Sequence, residues 1–488
     1  MVVQPDGSQD EDAVVLAITL TQDAERRLRD LPLEEEQRQQ AASAGLVALL
    51  AEPLPHDFTR SLLKAPMEVL GGPIPENLIR CPGFCSVATA RAVYEPALEQ
   101  RADLLLRLRA DPNGFTGQGR PQRPLMCCAM HGWTSVAKRL LAAEADVLLS
   151  DASKSTALHY AAIHHEVEMC TLLLEAAADA DSKDAYGRSV WDIVNTGWAQ
   201  KQPKLTLPTS LLKVMQSLGI ASSVAELDGS TFSAQRFVDD FVALKRPVLV
   251  KRARTTLGSA CGSDSCRRIS PGFSWQKEDL LKHAAAARAL VSHIPYGSDF
   301  GLDASLEQPV TLEEFLRSCK RRRIDEGAQC SSGKGAVRGS IASYFFVAVD
   351  DEAQPEIARV FAEVLGLVVG GPLTFPCFHS SCPFRTTTLQ FAVGDAGSGS
   401  PMHFHQDAVN LLLLGKKRWW LRPPSMSAMS RLHPLDAVNC SVEEVEQCYS
   451  GACVLEQEAG DVVYIPDMWG HAVLNLENHT VCAATEFA

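Results

Sequence analysis

The spacing of apolar residues changes near residue 223, and the change predicts two kinds of structure in one chain. Upstream, from about residue 94 to residue 201, apolar residues recur at helical intervals. Downstream, a short amphipathic helix begins near Phe232, and short apolar runs then alternate with turns to the end. Such runs are typical of an all-β barrel or a double-sheet jelly roll. We therefore predict a multidomain chain, α-helical first and all-β afterwards.

The helical stretch repeats itself with a period near 33 residues, which is typical of stacked helical pairs. Its central copy begins TALHYAA at Thr156, and the apolar positions Leu158 and Leu173 have counterparts 33 residues earlier, at Leu125 and Leu140. The copy resembles the ankyrin repeat, which implies a solenoid with a surface for a protein partner. We predict that His159 is a structural residue at the start of a helix.

Candidate chemistry is concentrated in the second half. The segment MHFHQD is predicted to be a strand, and in a continuous strand His403, His405 and Asp407 point the same way. His471 follows a turn at the head of a later strand. Two imidazoles and one carboxylate on one side of an iron leave open positions for a 2-oxo acid and O2. We therefore predict that His405, Asp407 and His471 are the metal ligands and catalytic residues.

Two further residues are candidates for holding the co-substrate. By strand alternation Lys417 lies on the opposite face from Lys416 and Arg418, so it can be buried and can bind a carboxylate as a point charge. Asn410 can donate a hydrogen bond to the same co-substrate. An exposed basic residue is the other interpretation of Lys417.

The motifs HQDAxN, GxKRWxLxPP and GDVxYIPxxWxHAVLNL together resemble the small JmjC-only branch of the 2-oxoglutarate oxygenases, from about residue 223 onward. The resemblance implies a double-stranded β-helix of the cupin or jelly-roll type, with a helical lead-in, Fe(II), the co-substrate 2-oxoglutarate, and O2. It also implies a hydroxyl against the co-substrate, which Thr485 could supply. The family's usual spacing from the first ligand to GxK favours His403, so His403 is the alternative first ligand.

The motifs divide the chain into four predicted segments. Residues 1–84 have no assigned role, residues 85–201 hold the ankyrin repeats, residues 202–222 are a linker, and residues 223–488 form the JmjC domain.

Charge and composition limit the partners and the compartment. The net charge of -13 argues against direct nucleic-acid binding, because phosphates are bound by clustered basic residues. The 15 cysteines show no disulfide framework, and acidic residues stand where a signal peptide needs basic ones. Polar residues interrupt the longest apolar stretch, so we expect no membrane span. We expect an intracellular protein of the cytoplasm or nucleus, whose oligomeric state the sequence leaves open.

The function predicted first is hydroxylation of a protein side chain, with the ankyrin repeats recruiting the protein substrate. Two alternatives stay open at this point. One is a JmjC lysine demethylase, and the other is a non-catalytic ankyrin and cupin scaffold.

Overall fold

A computed structural model describes residues 35–51, 54, 84–115, 123–195, 224–230, 232–253, 273–289, 291–292, 309–318, 344–349, 352, 354–373, 383–430, 449 and 452–488. The chain forms two compact units, residues 1–220 with 423–426 and residues 221–422 with 427–488. Residues 1–34 and the predicted linker lie outside the described residues. Across the described ranges, none of the helices combines the length and the apolar character needed to cross a membrane.

The first unit consists of helices stacked in pairs. They are α1 (Glu35–Ala51), α2 (Val87–Arg107), α3 (Pro124–His131), α4 (Thr134–Ala142), α5 (Ala157–Ile163), α6 (Val167–Glu175) and α7 (Val190–Asn195), with a short strand β1 (Phe84–Ser86) before α2. Helix α3 packs on α5, and α5 on α7, while α4 packs on α6. Each pair thus buries its apolar side against the next pair, as the 33-residue repeat predicts.

Helices α1 and α2 extend this stack at its first end. Helix α1 packs on α3, and α2 packs on α4, so the two occupy the places of one more helical pair. The Arg91 guanidinium on α2 forms two hydrogen bonds of 2.6 and 2.7 Å with the Glu166 carboxylate before α6. Gly132, which ends α3 with a φ of +70°, lies under this ion pair, and a Cβ there would come within 2.3 Å of Arg91 Nη1. A side chain at position 132 would therefore displace the ion pair.

Aspartates order the turns between repeats. Asp151 accepts hydrogen bonds from the Ser153 and Ser155 amides, and Asp184, 33 residues later, does the same for Tyr186 and Arg188. His159 is fully buried at the start of α5, where its Nδ1 contacts the Thr156 amide and hydroxyl. The predicted structural role of His159 is confirmed.

One histidine couples the stability of this unit to pH. Burial lowers the pKa of His131 to about 4, although its hydrogen bond to the Ala51 carbonyl acts in the opposite direction. An unfolded histidine has a pKa of about 6.5, so below that pH the unfolded chain binds the extra proton. The stabilisation that His131 contributes is therefore fully present above about pH 6.5 and is lost as the pH falls toward about 4.

We predict that His131→Gln reduces this dependence. Between about pH 7 and about pH 5 the wild-type free energy of unfolding should fall by about 2 kcal/mol more than that of the variant. Urea unfolding at both pH values, followed by the circular dichroism of the helices, measures the difference. An equal loss in both proteins would contradict the prediction.

The second unit is built from strands with a helical lead-in. The strands are β2 (Ala225–Asp228), β3 (Val248–Lys251), β4 (Arg288–Ala289), β5 (Val291–Ser292), β6 (Val310–Thr311), β7 (Tyr344–Ala348), β8 (Thr386–Gly394), β9 (Gly399–His403), β10 (Ala408–Leu414), β11 (Lys416–Arg422), β12 (Ala428–Ser430), β13 (Cys453–Glu458), β14 (Val462–Ile465), β15 (Gly470–Asn475) and β16 (Thr480–Phe487). The helices are α8 (Ala234–Arg236), which continues as a π-helix over Phe237–Val242, α9 (Lys277–Ala284), α10 (Leu312–Ser318) and α11 (Pro355–Val360), which continues as a π-helix over Phe361–Leu365.

Two sheets form the body of this unit. The larger has the strand order β2-β3-β14-β10-β16-β8-β7-β5, and the smaller has the order β13-β11-β15-β9. Side chains cross between them, since Lys417 on β11 contacts Cys482 on β16 and Gln457 on β13 donates to the Asn410 carbonyl on β10. The double-sheet jelly roll that the sequence predicts is confirmed.

The larger sheet has two chemically different faces. The face that carries Val409, Leu411 and Tyr464 is called the outer face. These three side chains form one apolar cluster with aromatic residues of the lead-in, including Phe237 and Phe361. We call inner the opposite face, which carries Asn410 and Cys482 and is turned toward the smaller sheet. Alternation along each strand thus separates a helix-covered apolar face from a more polar interior.

Candidate metal centre

Three histidines meet at the end of the smaller sheet. His403 is the last residue of β9 and lies directly opposite His471 of β15 in the strand pairing. His405 follows in the connection to β10. One ring nitrogen from each histidine lies within 4.8 Å of the other two. Such a group has the donor type and spacing to bind one transition metal ion.

The backbone sets the same tautomer on all three rings. Nδ1 of His403 is 2.8 Å from the Pro401 carbonyl, that of His405 is 2.8 Å from the Gln406 carbonyl, and that of His471 is 3.1 Å from the Trp469 carbonyl. A carbonyl oxygen only accepts, so each Nδ1 carries the proton and donates it. In this tautomer the Nε2 atom is the one that carries the lone pair a metal needs.

His471 is the buried member of the group. It is 3% exposed, whereas His403 and His405 are partly exposed. Burial lowers the pKa of His471 well below its usual range, and the neighbouring rings of His403 and His405 act in the same direction. His471 is thus held in the neutral form that a metal requires.

Asp407, predicted to be the carboxylate ligand, does not belong to this group. Its Oδ1 accepts hydrogen bonds from the Tyr464 hydroxyl at 2.6 Å and from the Asp467 amide at 3.0 Å, and Lys245 Nζ lies 2.5 Å from its Oδ2. The group that the structure brings together contains His403 instead. The alternative first ligand is therefore the one that the geometry favours, together with His405 and His471.

The reason is a break in the strand. The prediction assumed one continuous strand from His403 to Asp407, but β9 ends at His403 and β10 begins at Ala408 in the other sheet. Residues 404–407 make the crossing, so alternation does not extend across them. Asp407 consequently points to the outer face, where Tyr464 lies.

Asp407 instead fixes the turn that carries His471. Through the Asp467 amide it holds the segment that follows β14, and the Met468 amide donates to the His405 carbonyl. Burial, with the Asp407 charge beside it, raises the pKa of Tyr464 well above its usual range, so the phenol stays protonated and donates. Asp407 thus supports the histidine group without pointing into it.

Lys417 and Asn410 lie on the inner faces. Lys417 is 1% exposed, while Lys416 and Arg418 on either side form ion pairs with Glu456. Asn410 is 8% exposed, and its Oδ1 has no hydrogen-bond partner among the described residues. Asn475, directly opposite Lys417 on β15, also has a buried Oδ1 without a partner in the described part of the chain. The interior between the sheets therefore holds polar groups available to a ligand.

The last strand places Thr485 and Glu486 on opposite faces. Thr485 pairs with Val409 on the outer face and donates to the Thr388 carbonyl, so its hydroxyl does not lie on the side of the histidines. The next residue, Glu486, does: its carboxylate is 3.8 Å from His405 Nδ1. The sequence analysis missed Glu486, and strand alternation from the inner residue Cys482 would have indicated it.

Comparison with known proteins supports both halves of the architecture. A family model described as ankyrin repeats matches residues 91–184 in three copies. JmjC domain-containing protein 8 of Mus musculus is 36% identical over 209 residues, which cover 38% of this chain and 77% of the mouse protein. This chain belongs to the JmjC domain-containing family. The Rattus norvegicus protein of the same name is 29% identical over 211 residues, with the same coverage.

We predict that Asp407→Asn leaves this JmjC metal centre able to bind one metal ion. The variant loses the charge that pairs with Lys245, so the free energy of unfolding should fall by about 2 kcal/mol. His471→Ala, in contrast, should abolish metal binding. Calorimetric titration of the metal-free proteins with Co(II) measures stoichiometry and affinity.

Lys245→Met is the matched control, because it breaks the same ion pair from the other side. Asp407→Asn and Lys245→Met should weaken Co(II) binding equally. A loss of binding in Asp407→Asn alone, with the fold intact, would show that Asp407 is a ligand.

Proposed function

We propose that this protein is an Fe(II)- and 2-oxoglutarate-dependent dioxygenase that hydroxylates a protein side chain. The observation that carries the proposal is the convergence of three imidazoles, each with its Nδ1 against a backbone carbonyl, at the end of the smaller sheet. The ligand set is His403, His405 and His471.

The donor set fits iron. Imidazole nitrogen is a ligand that suits Fe(II), and three ligands on one side of the ion leave coordination positions for other molecules. When bound, iron supplies the redox chemistry that couples oxidation of 2-oxoglutarate to oxidation of a second substrate. The carbonyl partners of the three Nδ1 atoms hold the rings in the orientation that this ligation needs.

The inner faces offer a place for 2-oxoglutarate. A buried ammonium group such as that of Lys417 is costly unless an anion accompanies it, and the distal carboxylate of 2-oxoglutarate would be such an anion. The side-chain amides of Asn410 and Asn475 lie on the same inner faces and could bind the remaining polar atoms. Thr485 has no part in this proposal, because it lies on the outer face.

The ankyrin repeats would recruit the protein substrate. Ankyrin repeats generally present a surface to other proteins. Three large apolar side chains, Phe115, Leu148 and Tyr186, are more than half exposed in the described turns of this unit. Aromatic residues such as Phe115 and Tyr186 are enriched where proteins bind one another.

A non-catalytic scaffold is the second candidate, and one observation favours it. The ligand group contains no carboxylate, whereas the usual iron oxygenase site combines two histidines with one. In that case the centre would bind a metal but would not turn over 2-oxoglutarate.

The test is the conversion of 2-oxoglutarate to succinate by the full chain with Fe(II) and ascorbate. We expect succinate from the wild type, and a loss of roughly 100-fold or more in His403→Ala and His471→Ala, since each removes a metal ligand. His283→Gln, on α9 and outside the group, is the matched control and should keep the wild-type rate. Iron binding by a wild type that forms no succinate would favour the scaffold.

A further inference from the structure

Lys417 and Cys482 form an unusual pair inside the jelly roll. Lys417 Nζ lies 2.8 Å from Cys482 Sγ, and the two residues are 1% and 3% exposed. They come from different sheets, β11 and β16, so the contact spans the interior between them. The packing of the two sheets therefore fixes this contact, and neither side chain is a flexible surface group.

The described surroundings of Lys417 do not provide the partner that a buried ammonium group normally has. An ammonium buried to this degree normally has a carboxylate partner. Across the described residues, Lys417 has only the thiol as a hydrogen-bond partner, with the Trp419 ring 5.9 Å away. A contact of 2.8 Å is usual when nitrogen donates to oxygen, but sulfur has a larger radius and normally lies further away. The separation instead suits one oxygen atom bonded to both nitrogen and sulfur.

We propose that Lys417 and Cys482 are a covalent modification site, at which oxidation by dioxygen links the two side chains through one oxygen atom. The product is a bridge from Nζ through oxygen to Sγ. It ties the smaller sheet to the larger one at β11 and β16.

The reaction balances with dioxygen as the only oxidant. One ammonium, one thiol and one O2 give the N–O–S bridge, one water and one proton. Two N–H bonds of the ammonium, the S–H bond and the O–O bond break, while the N–O and O–S bonds and the two O–H bonds of water form, and the third hydrogen leaves as the proton. Nitrogen and sulfur each lose two electrons, and the two oxygen atoms accept all four. Thiols as reductants return the lysine and the cysteine, as they do for other reversible cysteine oxidations.

The bridge has a consequence for the co-substrate site, and only this step rests on the proposed function. Bridged Lys417 no longer carries an ammonium charge, so the interior loses the cation proposed to bind the distal carboxylate of 2-oxoglutarate. Oxidation therefore prevents co-substrate binding, and reduction restores it. Neither change alters His403, His405 or His471.

The first experiment is peptide mass spectrometry of the full chain, after exposure to air and again after dithiothreitol. We expect a linked pair of peptides containing Lys417 and Cys482, heavier than their sum by one oxygen and lighter by two hydrogens. Dithiothreitol should remove it. Lys417→Arg and Cys482→Ser should lack the link, and Cys453→Ser, which alters another buried thiol, should keep it. Unlinked peptides, oxygen on the cysteine alone, or a link without oxygen would each overturn the proposal.

The second experiment measures 2-oxoglutarate binding by calorimetry to air-exposed and reduced protein. We expect binding only after reduction in the wild type, and binding in both states in Cys482→Ser. Equal binding by linked and reduced wild type would overturn the regulatory consequence. If neither state binds 2-oxoglutarate, the proposed function fails, while the mass of the linked peptides still decides whether the modification site exists.

Discussion

The crossing at residues 404–407 is the constraint on which the group of three histidines depends. Over these four positions the chain leaves the smaller sheet after His403 and enters the larger one at Ala408. The turn places His405 beside the other two histidines and sends Asp407 to the outer face. The same short segment therefore sets both the positions of the histidines and the contact of Asp407 with Lys245 of the lead-in.

The outer face of the larger sheet stabilises the fold, and the inner face carries the polar groups. The outer face buries an apolar cluster against the lead-in helices, which supplies the favourable free energy of burial. That burial offsets the cost of an interior with Lys417 and with the amide oxygens of Asn410 and Asn475, which have no partner in the part of the chain that the structure describes. Functional sites commonly contain such locally unfavourable groups, held in place by packing elsewhere.

Much of this architecture follows from patterns in the sequence, and the exceptions have physical causes. The 33-residue period predicts the stacked helices, because each pair must repeat the same apolar contacts. Alternation places Lys417 on the inner face, since β11 is one uninterrupted strand. The same rule does not extend to Asp407, where the strand breaks, and the motifs alone did not indicate that Thr485 lies on the outer face. Helix α1 escapes prediction, because it is remote from α2 in sequence and lacks the repeat pattern.

The direct pairing of His403 with His471 would give a bound metal ion a role in strand register. Successive residues of a strand face opposite sides, so a slip of one residue between β9 and β15 would turn one of these rings away from the other. A metal ion that needs both rings binds only the native register, and its binding free energy is added to the stability of that register alone. Metal supply during synthesis would then influence how many chains reach the native pairing, whatever reaction the finished protein performs.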